Sequence, residues 1–272
     1  MSWLDTSASE TQVTHRSRLW LYAIAALVLA FLLIPTLIVV PMSFSASQYL
    51  EFPPRQWSLR WYEAYFSSSS WLVATWTSLK AGVLTALLAT PAGTMAAYGL
   101  HASQFKWARM VYILLVTPII VPVILVGIAV FYAYVQLKLV NSLIGIVLAH
   151  TMLAIPIVML IVTSALQGFD MNQERVARSL GASRPRAFWL ITMPQIRFSL
   201  ITGAVLSFLT SFDEVVVAMF VSGGANSTLT RNMFNALRDQ IDPTIAAIST
   251  IMIVLTSLLL ALSQLFGKPE RQ

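Results

Sequence analysis

Residues 139–169 have the sequence LVNSLIGIVLAHTMLAIPIVMLIVTSALQGF, a run of 31 residues without Asp, Glu, Lys or Arg. Four further runs also lack these charged residues, at 19–50, 81–105, 110–137 and 243–267. A helix needs about 20 predominantly apolar residues to cross the hydrocarbon core of a bilayer. The sequence therefore predicts an integral membrane protein.

The overall composition supports the same conclusion. Of the 272 residues, 57% are apolar and only 10% are charged, whereas a soluble domain carries about a quarter charged residues. So few charges exclude a soluble enzyme and a free DNA-binding domain. The chain has no cysteine, which excludes disulfides, thiolate metal sites and a cysteine nucleophile.

Six membrane spans are predicted, and an all-α protein follows because the apolar runs do not alternate with period 2, as barrel strands would. The segment ahead of the first span is too long and polar for a cleaved signal peptide. Residues 1–18 and 267–272 are predicted tails, and residues 19–266 form the transmembrane domain. The expected spans are 19–42, 71–99, 107–135, 141–166, 198–222 and 243–266.

The basic residues predict the orientation, because Lys and Arg concentrate on the cytoplasmic side. With a cytoplasmic N-terminus, eleven of the 17 basic residues lie inside and five outside, and Lys80 falls within a span. Both termini are then cytoplasmic, and the net charge of +6 is largely a topology signal rather than a sign of nucleic-acid binding. The eleven are Arg16, Arg18, Lys106, Arg109, Arg175, Arg178, Arg184, Arg186, Arg197, Lys268 and Arg271.

The inner loop 167–197 is predicted to contain two short helices joined by a turn. Asp170 and Gln173 suit a capping box at the start of the first helix, and Gly181 suits a left-handed residue at its end. Pro194 is expected to break the second helix before the next span. Such a loop is either a docking element for a partner or a connector held on the inner leaflet by its arginines, and local features leave both interpretations open.

This loop resembles the cytoplasmic loop of permeases of ABC importers. The family pattern is Glu-Ala-Ala, three residues, Gly, nine residues, Ile, one residue and Leu-Pro. Gly181, Ile191, Pro194 and Ala177 match the pattern, and Met193 replaces Leu. Arg175 stands at the Glu position and Val176 at the first Ala, while Glu174 lies one residue early.

The resemblance implies the type I importer permease fold with a coupling helix between spans 4 and 5. It also implies that the chain is a non-catalytic subunit of an ATP-hydrolysing translocase and binds no cofactor, with ATP and Mg bound by partner ATPases. No GxxxxGK[ST] phosphate loop occurs in the chain. The coupling residues that it implies are Glu174, Arg175, Val176, Ala177, Leu180, Gly181, Ala182, Ile191 and Pro194.

The likeness extends over nearly the whole chain and is greatest to the second permease of spermidine/putrescine importers and to opine permeases. It is carried by residues 57–65, 117–126 and 207–215, the last being SFLTSFDEV. It implies a polyamine as cargo in a bacterial inner membrane. The implied partners are a second permease in a heterodimer, two ATPase subunits and a periplasmic solute-binding protein, besides the lipid bilayer.

Lys80, Asp213 and Glu214 are the charged residues predicted deep within spans, away from their ends. Ionisable groups at that depth are costly and are usually functional or paired. The acids are therefore candidates for attracting a polycationic substrate, or they form a structural ion pair with Lys80 or with the partner permease.

Other functions fit the sequence less well. An ion-coupled secondary transporter predicts an inverted repeat and more ionisable groups within the spans. A membrane-embedded enzyme predicts clustered His, Asp or Glu, but His15, His101 and His150 lie on different segments, so no metal site is expected. Within the importer family, opines and amino acids remain alternative cargoes.

Overall fold

The computed structural model describes residues 14–103, 105–239 and 242–266, and the regular structure in these ranges is helical. An isolated antiparallel bridge joins Ser45 and Trp57. The helices are α1 Leu19–Met42, α2 Arg60–Ser67, α3 Ser69–His101, α4 Ala108–Val116, α5 Val123–Leu137, α6 Leu143–Gln167, α7 Asn172–Ser179, α8 Arg184–Ala187, α9 Met193–Asp213, α10 Val216–Val221, α11 Leu229–Asp239 and α12 Thr244–Phe266.

Within the described ranges, five helices are long and apolar enough to cross a membrane, and the count there is six if α4 and α5 together make one span. The predicted all-α membrane fold is thus confirmed. Of the predicted tails, residues 1–13 and 267–272 lie outside the described residues, whereas His15–Arg18 forms a 3₁₀ turn that leads into α1.

The predicted third span, 107–135, is not one continuous helix. The segments Ala108–Ile119 and Val123–Leu137 meet at an angle of 96°. Pro122 adopts φ −51° and ψ 121°, and a proline disfavours the helical conformation at the residue before it. The apolar run therefore holds two helices separated by a sharp bend.

The predicted fifth span, 198–222, begins earlier and ends earlier than expected. One continuous helix covers Arg184–Asp213, so Pro194 does not break it. A π-helical turn at Phe188–Thr192 precedes the proline, and the N–H of Met193 bonds the carbonyl of Phe188, five residues back. Because this turn is wider than an α-turn, it takes up the clash that the ring of Pro194 would make with the preceding carbonyls.

The chain divides into two compact units. The first contains residues 14–64 and 242–251. In it, the Oγ of Ser43 and the hydroxyl of Tyr62 are 2.7 Å apart, and Arg60 donates to the carbonyl of Ala46 at 2.9 Å. These bonds, with the Ser45–Trp57 bridge, hold the segment between α1 and α2 in a defined loop.

The second unit contains residues 65–239 and 252–266, and its core is formed by α3, α6 and α9. Small residues let these helices approach closely, as is usual in membranes. A Cβ added at Gly93 of α3 would lie 2.7 Å from the Cβ of Val158 on α6. The buried core of this bundle comprises Ala89, Ala97, Ala154, Val158, Val162, Leu166 and Ile196.

A second cluster joins the short helix α10 to α5 and α6. Val217 and Val221 of α10 are fully buried beside Ile146 of α6. Gly127 of α5 lies against the ring of Phe220, and a Cβ there would be 2.6 Å from its Cδ2. The helix that follows the bend in span 3, α5, and the helix that follows the end of α9, α10, are thus packed on each other.

Candidate functional site

The loop between α6 and α9 folds as two short helices, as the sequence predicted, but its caps differ. The Oδ1 of Asp170 accepts from the N–H of Asn172 at 2.9 Å. Gln173 does not complete a capping box, because its Oε1 accepts from the Nε2 of Gln195 at 2.7 Å. Gly181 adopts φ 93°, in the left-handed region.

Glu174 is the buried centre of this loop, with 3% of its surface exposed. Its Oε1 accepts from the hydroxyl of Tyr98 at 2.6 Å, and its Oε2 accepts from the Oγ1 of Thr192 at 2.8 Å. Tyr98 lies near the end of α3, and Thr192 lies in the π-helical turn ahead of α9. One carboxylate therefore ties α7 to two of the three core helices.

The sequence did not identify Tyr98 or Thr192 as part of this site. They lie 76 and 18 residues from Glu174. Tyr98 is outside the loop pattern, and Thr192 occupies its variable position between Ile191 and Met193. A charged residue held by two hydroxyl donors is stable when buried, since charge-assisted bonds are strong. The early Glu174 is thus the structural acid of the loop.

The other predicted coupling residues surround this anchor. Val176 and Leu180 are 57% and 83% exposed, and they form an apolar outer surface on α7. Arg175 is exposed, and its Nη1 donates to the Oδ1 of Asn172 at 3.2 Å. Gly181 and Pro194 are exposed, and the half-buried ones are Ala177, Ala182 and Ile191.

The two adjacent acids of the fifth span have different surroundings. Glu214 lies just past the end of α9, and its Oε1 accepts from the N–H of Val217 at 2.8 Å, which caps α10. The carbonyl of Glu214 accepts from the Oγ1 of Thr230 at 2.9 Å. Asp213, the last residue of α9, is exposed. Glu214 is therefore a cap of α10, and Asp213 is an exposed acid at the end of α9.

Lys80 does not pair with either acid. Its Nζ lies 5.4 Å from the ring centroid of Trp76, a cation–π contact, and it forms no ion pair among the described residues. The hypothesis of an ion pair between Lys80 and an acid of this chain is therefore wrong. The reason is geometric, because Lys80 faces a cleft of about 400 Å³ that it shares with Trp76, Leu143 and Asn226.

The segment between α10 and α12 is tied to α3 and to the residues just ahead of α6. The N–H of Leu229, at the start of α11, donates to the Oγ of Ser78 at 2.8 Å. The Nδ2 of Asn226 donates to the carbonyl of Asn141 at 2.9 Å. The cleft beside Lys80 is thus bordered by a segment that is fixed to α3 and to Asn141, just ahead of α6.

Comparison with known proteins places this arrangement in a family. The model of the binding-protein-dependent transport system inner membrane component matches residues 89–269. The spermidine/putrescine transport system permease protein PotC of Haemophilus influenzae is 31% identical over 242 residues, covering 89% of this chain and 93% of the relative. The putrescine transport system permease protein PotI of Escherichia coli K12 is 30% identical, covering 86% and 85%.

Solved structures show the same fold. A chain of a bacterial ABC transporter that imports the acidic polysaccharide alginate superposes with a TM-score of 0.70 at 14% identity, covering 93% of this chain and 98% of that one. The alginate transporter in complex with its alginate-pentasaccharide-bound periplasmic protein gives 0.69 at 12% identity, covering 91% and 93%. With the helical core, the Glu174-anchored loop and the family match together, the chain belongs to the inner-membrane components of binding-protein-dependent transport systems, the permeases of ABC importers.

Proposed function

We propose that this permease forms half of a pathway that carries a polyamine, of the spermidine/putrescine type, across the bacterial inner membrane. The observation that carries the proposal is the exposed carboxylate of Asp213 at the end of α9. A carboxylate at membrane depth is costly unless it is paired or functional. A polycationic solute is a suitable partner, and the relatives with about 30% identity are polyamine permeases.

Lys80 contributes to the same pathway by repelling a cationic substrate, whereas Asp213 attracts it. Its ammonium lies over Trp76 beside the outer cleft, so it repels a cation that approaches α3. The two charges then direct a polyamine toward α9 and away from α3. Glu214 is not a substrate ligand in this proposal, because its Oε1 is engaged by the N–H of Val217.

Energy reaches the pathway through the loop helix α7. ATP and Mg bind to two ATPase subunits, since the chain has no phosphate loop of its own. The apolar surface of Val176 and Leu180 docks on an ATPase subunit. Movement of α7 is passed through the Glu174 carboxylate to Tyr98 on α3 and to Thr192 ahead of α9, and the helices then alternate between inward-open and outward-open arrangements.

The remaining assembly follows the family. A second permease completes the pathway as a heterodimer, and a periplasmic solute-binding protein delivers the substrate to the outer side, where Phe234, Leu237 and Arg238 of α11 are exposed. Both chain termini are cytoplasmic in this proposal, because the inner loops then hold the excess of basic residues.

The test is uptake by the complete transporter in proteoliposomes with its cognate binding protein. We expect uptake of labelled putrescine or spermidine that requires ATP inside the vesicle. Opines and amino acids serve as competing substrates, and an imposed ion gradient without ATP serves as the control for secondary transport. Uptake of an opine or amino acid but no polyamine would overturn the cargo, and uptake driven by the ion gradient alone would overturn the mechanism.

A further inference from the structure

We infer that a small basic cleft beside the coupling helix binds the phosphate of an anionic phospholipid headgroup from the inner leaflet. The cleft has a volume of about 170 Å³. It lies between the cytoplasmic end of α3 and α7. Its lining residues are His101, Ala102, Ser103, Met171, Glu174, Arg175, Arg178 and Arg184.

Three guanidinium groups give this cleft its charge. Arg175, Arg178 and Arg184 are all exposed, and none of them forms an ion pair among the described residues. The one carboxylate in the lining, Glu174, is buried with both oxygens held by Tyr98 and Thr192. The cleft therefore has an excess of positive charge that no side chain of the described residues neutralises.

Two of the arginines are held in place. The Nη1 of Arg175 donates to the Oδ1 of Asn172 at 3.2 Å. The guanidinium carbon of Arg184 lies 6.0 Å from the ring centroid of Tyr98, within the range of a cation–π contact. Guanidinium groups fixed in this way suit the oxygen atoms of a phosphate, which they bind through paired N–H donors.

The size of the cleft selects a small anionic group. A water molecule occupies about 30 Å³ in the liquid, so the space is equivalent to about five or six waters. Pockets for whole drug-sized ligands usually measure about 300–1,000 Å³. A phosphate group fits within this volume, whereas a whole nucleotide would extend beyond it.

The position of the cleft favours a lipid as the source of that phosphate. Phe105 and Trp107 follow Ser103 closely in the chain and are 58% and 62% exposed. Exposed aromatic side chains at the end of a span are typical of the membrane interface. Basic pockets between membrane helices on the cytoplasmic side bind anionic headgroups.

The cleft is on a different side of α7 from the apolar docking surface. Successive helical residues are about 100° apart. Relative to Glu174, Arg178 and Arg175 lie at about 40° and 100°, whereas Val176 and Leu180 lie at about 200° and 240°. A lipid in the cleft therefore leaves the outer surface of α7 free, and it links α3 to α7 directly.

The experiment counts phospholipids retained by the complete transporter in native mass spectrometry. The wild type is expected to retain phosphatidylglycerol in preference to phosphatidylcholine. The double variant Arg178→Gln/Arg184→Gln should retain it about 25-fold more weakly, since each cation near the surface contributes about fivefold. Arg186→Gln removes an exposed arginine of the same loop that does not line the cleft, and it should behave as the wild type.

Further arms separate the other sources of negative charge. Arg178→Lys/Arg184→Lys keeps the charge but lacks the paired N–H donors, so it should recover part of the retention lost in the Gln double variant. Such recovery excludes a general folding defect. Equal retention by the wild type and the Gln double variant would overturn the inference. Displacement of phosphatidylglycerol by inorganic phosphate would also overturn the inference and would identify a free anion as the ligand. Loss of the ATPase subunits from the Gln double variant, whichever lipid is supplied, would overturn it too and would identify acidic residues of the ATPase as the partner. A different cargo would leave all of these results unchanged.

Discussion

The hydroxyl of Tyr98 donates a 2.6 Å hydrogen bond to the buried carboxylate of Glu174, which joins the end of α3 to the loop helix α7. The second carboxylate oxygen is taken by Thr192 at 2.8 Å. Because both bonds end on one side chain, α7 cannot shift without moving α3 and the start of α9, or breaking a bond to a charged group.

The first prediction concerns this anchor. Glu174→Ala leaves two hydroxyls without an acceptor, and each bond to a charged group contributes about 1.5–3 kcal/mol. We expect ATP-driven uptake to be lost while ATPase turnover persists, because the loop moves without its helices. Measuring uptake and ATP hydrolysis on the same proteoliposomes checks this.

Tyr98→Phe is the matched control for the anchor. It removes one of the two bonds and keeps the ring, so uptake should fall less than in Glu174→Ala. If Glu174→Ala retained a normal ratio of uptake to ATP hydrolysis, the carboxylate would not transmit motion.

The second prediction separates the adjacent acids. Asp213→Asn removes the exposed charge at the end of α9, and it should raise the KM for spermidine more than tenfold without reducing assembly, because an ion contact of about 1.4 kcal/mol or more is lost. Glu214→Ala removes the cap of α10 and should lower thermal stability by about 1 kcal/mol. Uptake kinetics and thermal unfolding of the purified complex measure the two effects.

The opposite pattern would reverse these roles. If Asp213→Asn prevented the complex from assembling, Asp213 would be a structural partner of the second permease. If Glu214→Gln changed the KM for spermidine without a change in stability, Glu214 would contact the substrate.

The third prediction concerns docking of the ATPase. Leu180 is 83% exposed on the outer surface of α7, so Leu180→Glu should not disturb the packing of the permease. It places a charge in an apolar contact and should abolish copurification of the ATPase subunits. Leu137→Glu, at a position that is 64% exposed at the end of α5, is the control, and recovery of the ATPase subunits with Leu180→Glu would contradict the docking site.

The fourth prediction uses two glycines of α3. Gly93→Ala would bring a Cβ to 2.7 Å from the Cβ of Val158 and 3.0 Å from the carbonyl of Ile155. Such overpacking costs about 1–3 kcal/mol. Gly99 has no atom within 4 Å of the equivalent position, so Gly99→Ala should be neutral or slightly stabilising. Thermal unfolding in detergent compares them, and equal melting temperatures would contradict the α3–α6 packing.

Much of the fold follows from the apolar runs. The helices α1, α6 and α12 lie within two residues of the predicted segments 19–42, 141–166 and 243–266, because uninterrupted apolar runs in a membrane must satisfy their backbone groups within a helix. Hydropathy does not report local backbone geometry. The bend before Val123 and the π-helical turn before Pro194 were therefore missed.

The site was predictable only in part. The two short helices of the loop and the left-handed conformation of Gly181 were predicted from the sequence. The burial of Glu174 was not, since it depends on Tyr98, which lies 76 residues away in the sequence. The different roles of Asp213 and Glu214 could not be predicted either. Glu214 caps α10 because the helix breaks between α9 and α10, and the composition of the sequence gives no sign of that break.

The π-helical turn at Phe188–Thr192 also sets the angle about the helix axis between the residues before it and the residues after it. One extra residue in a turn rotates the helical segment before the turn by about 100° relative to the segment after it. Arg184, which lies over Tyr98, and the part of α9 that follows Pro194 therefore keep a fixed angle to each other about the axis of one continuous helix. Deleting a single residue of this turn would leave Arg184 and Glu174 in the sequence and would still rotate Arg184 away from Tyr98 on α3 by about 100°.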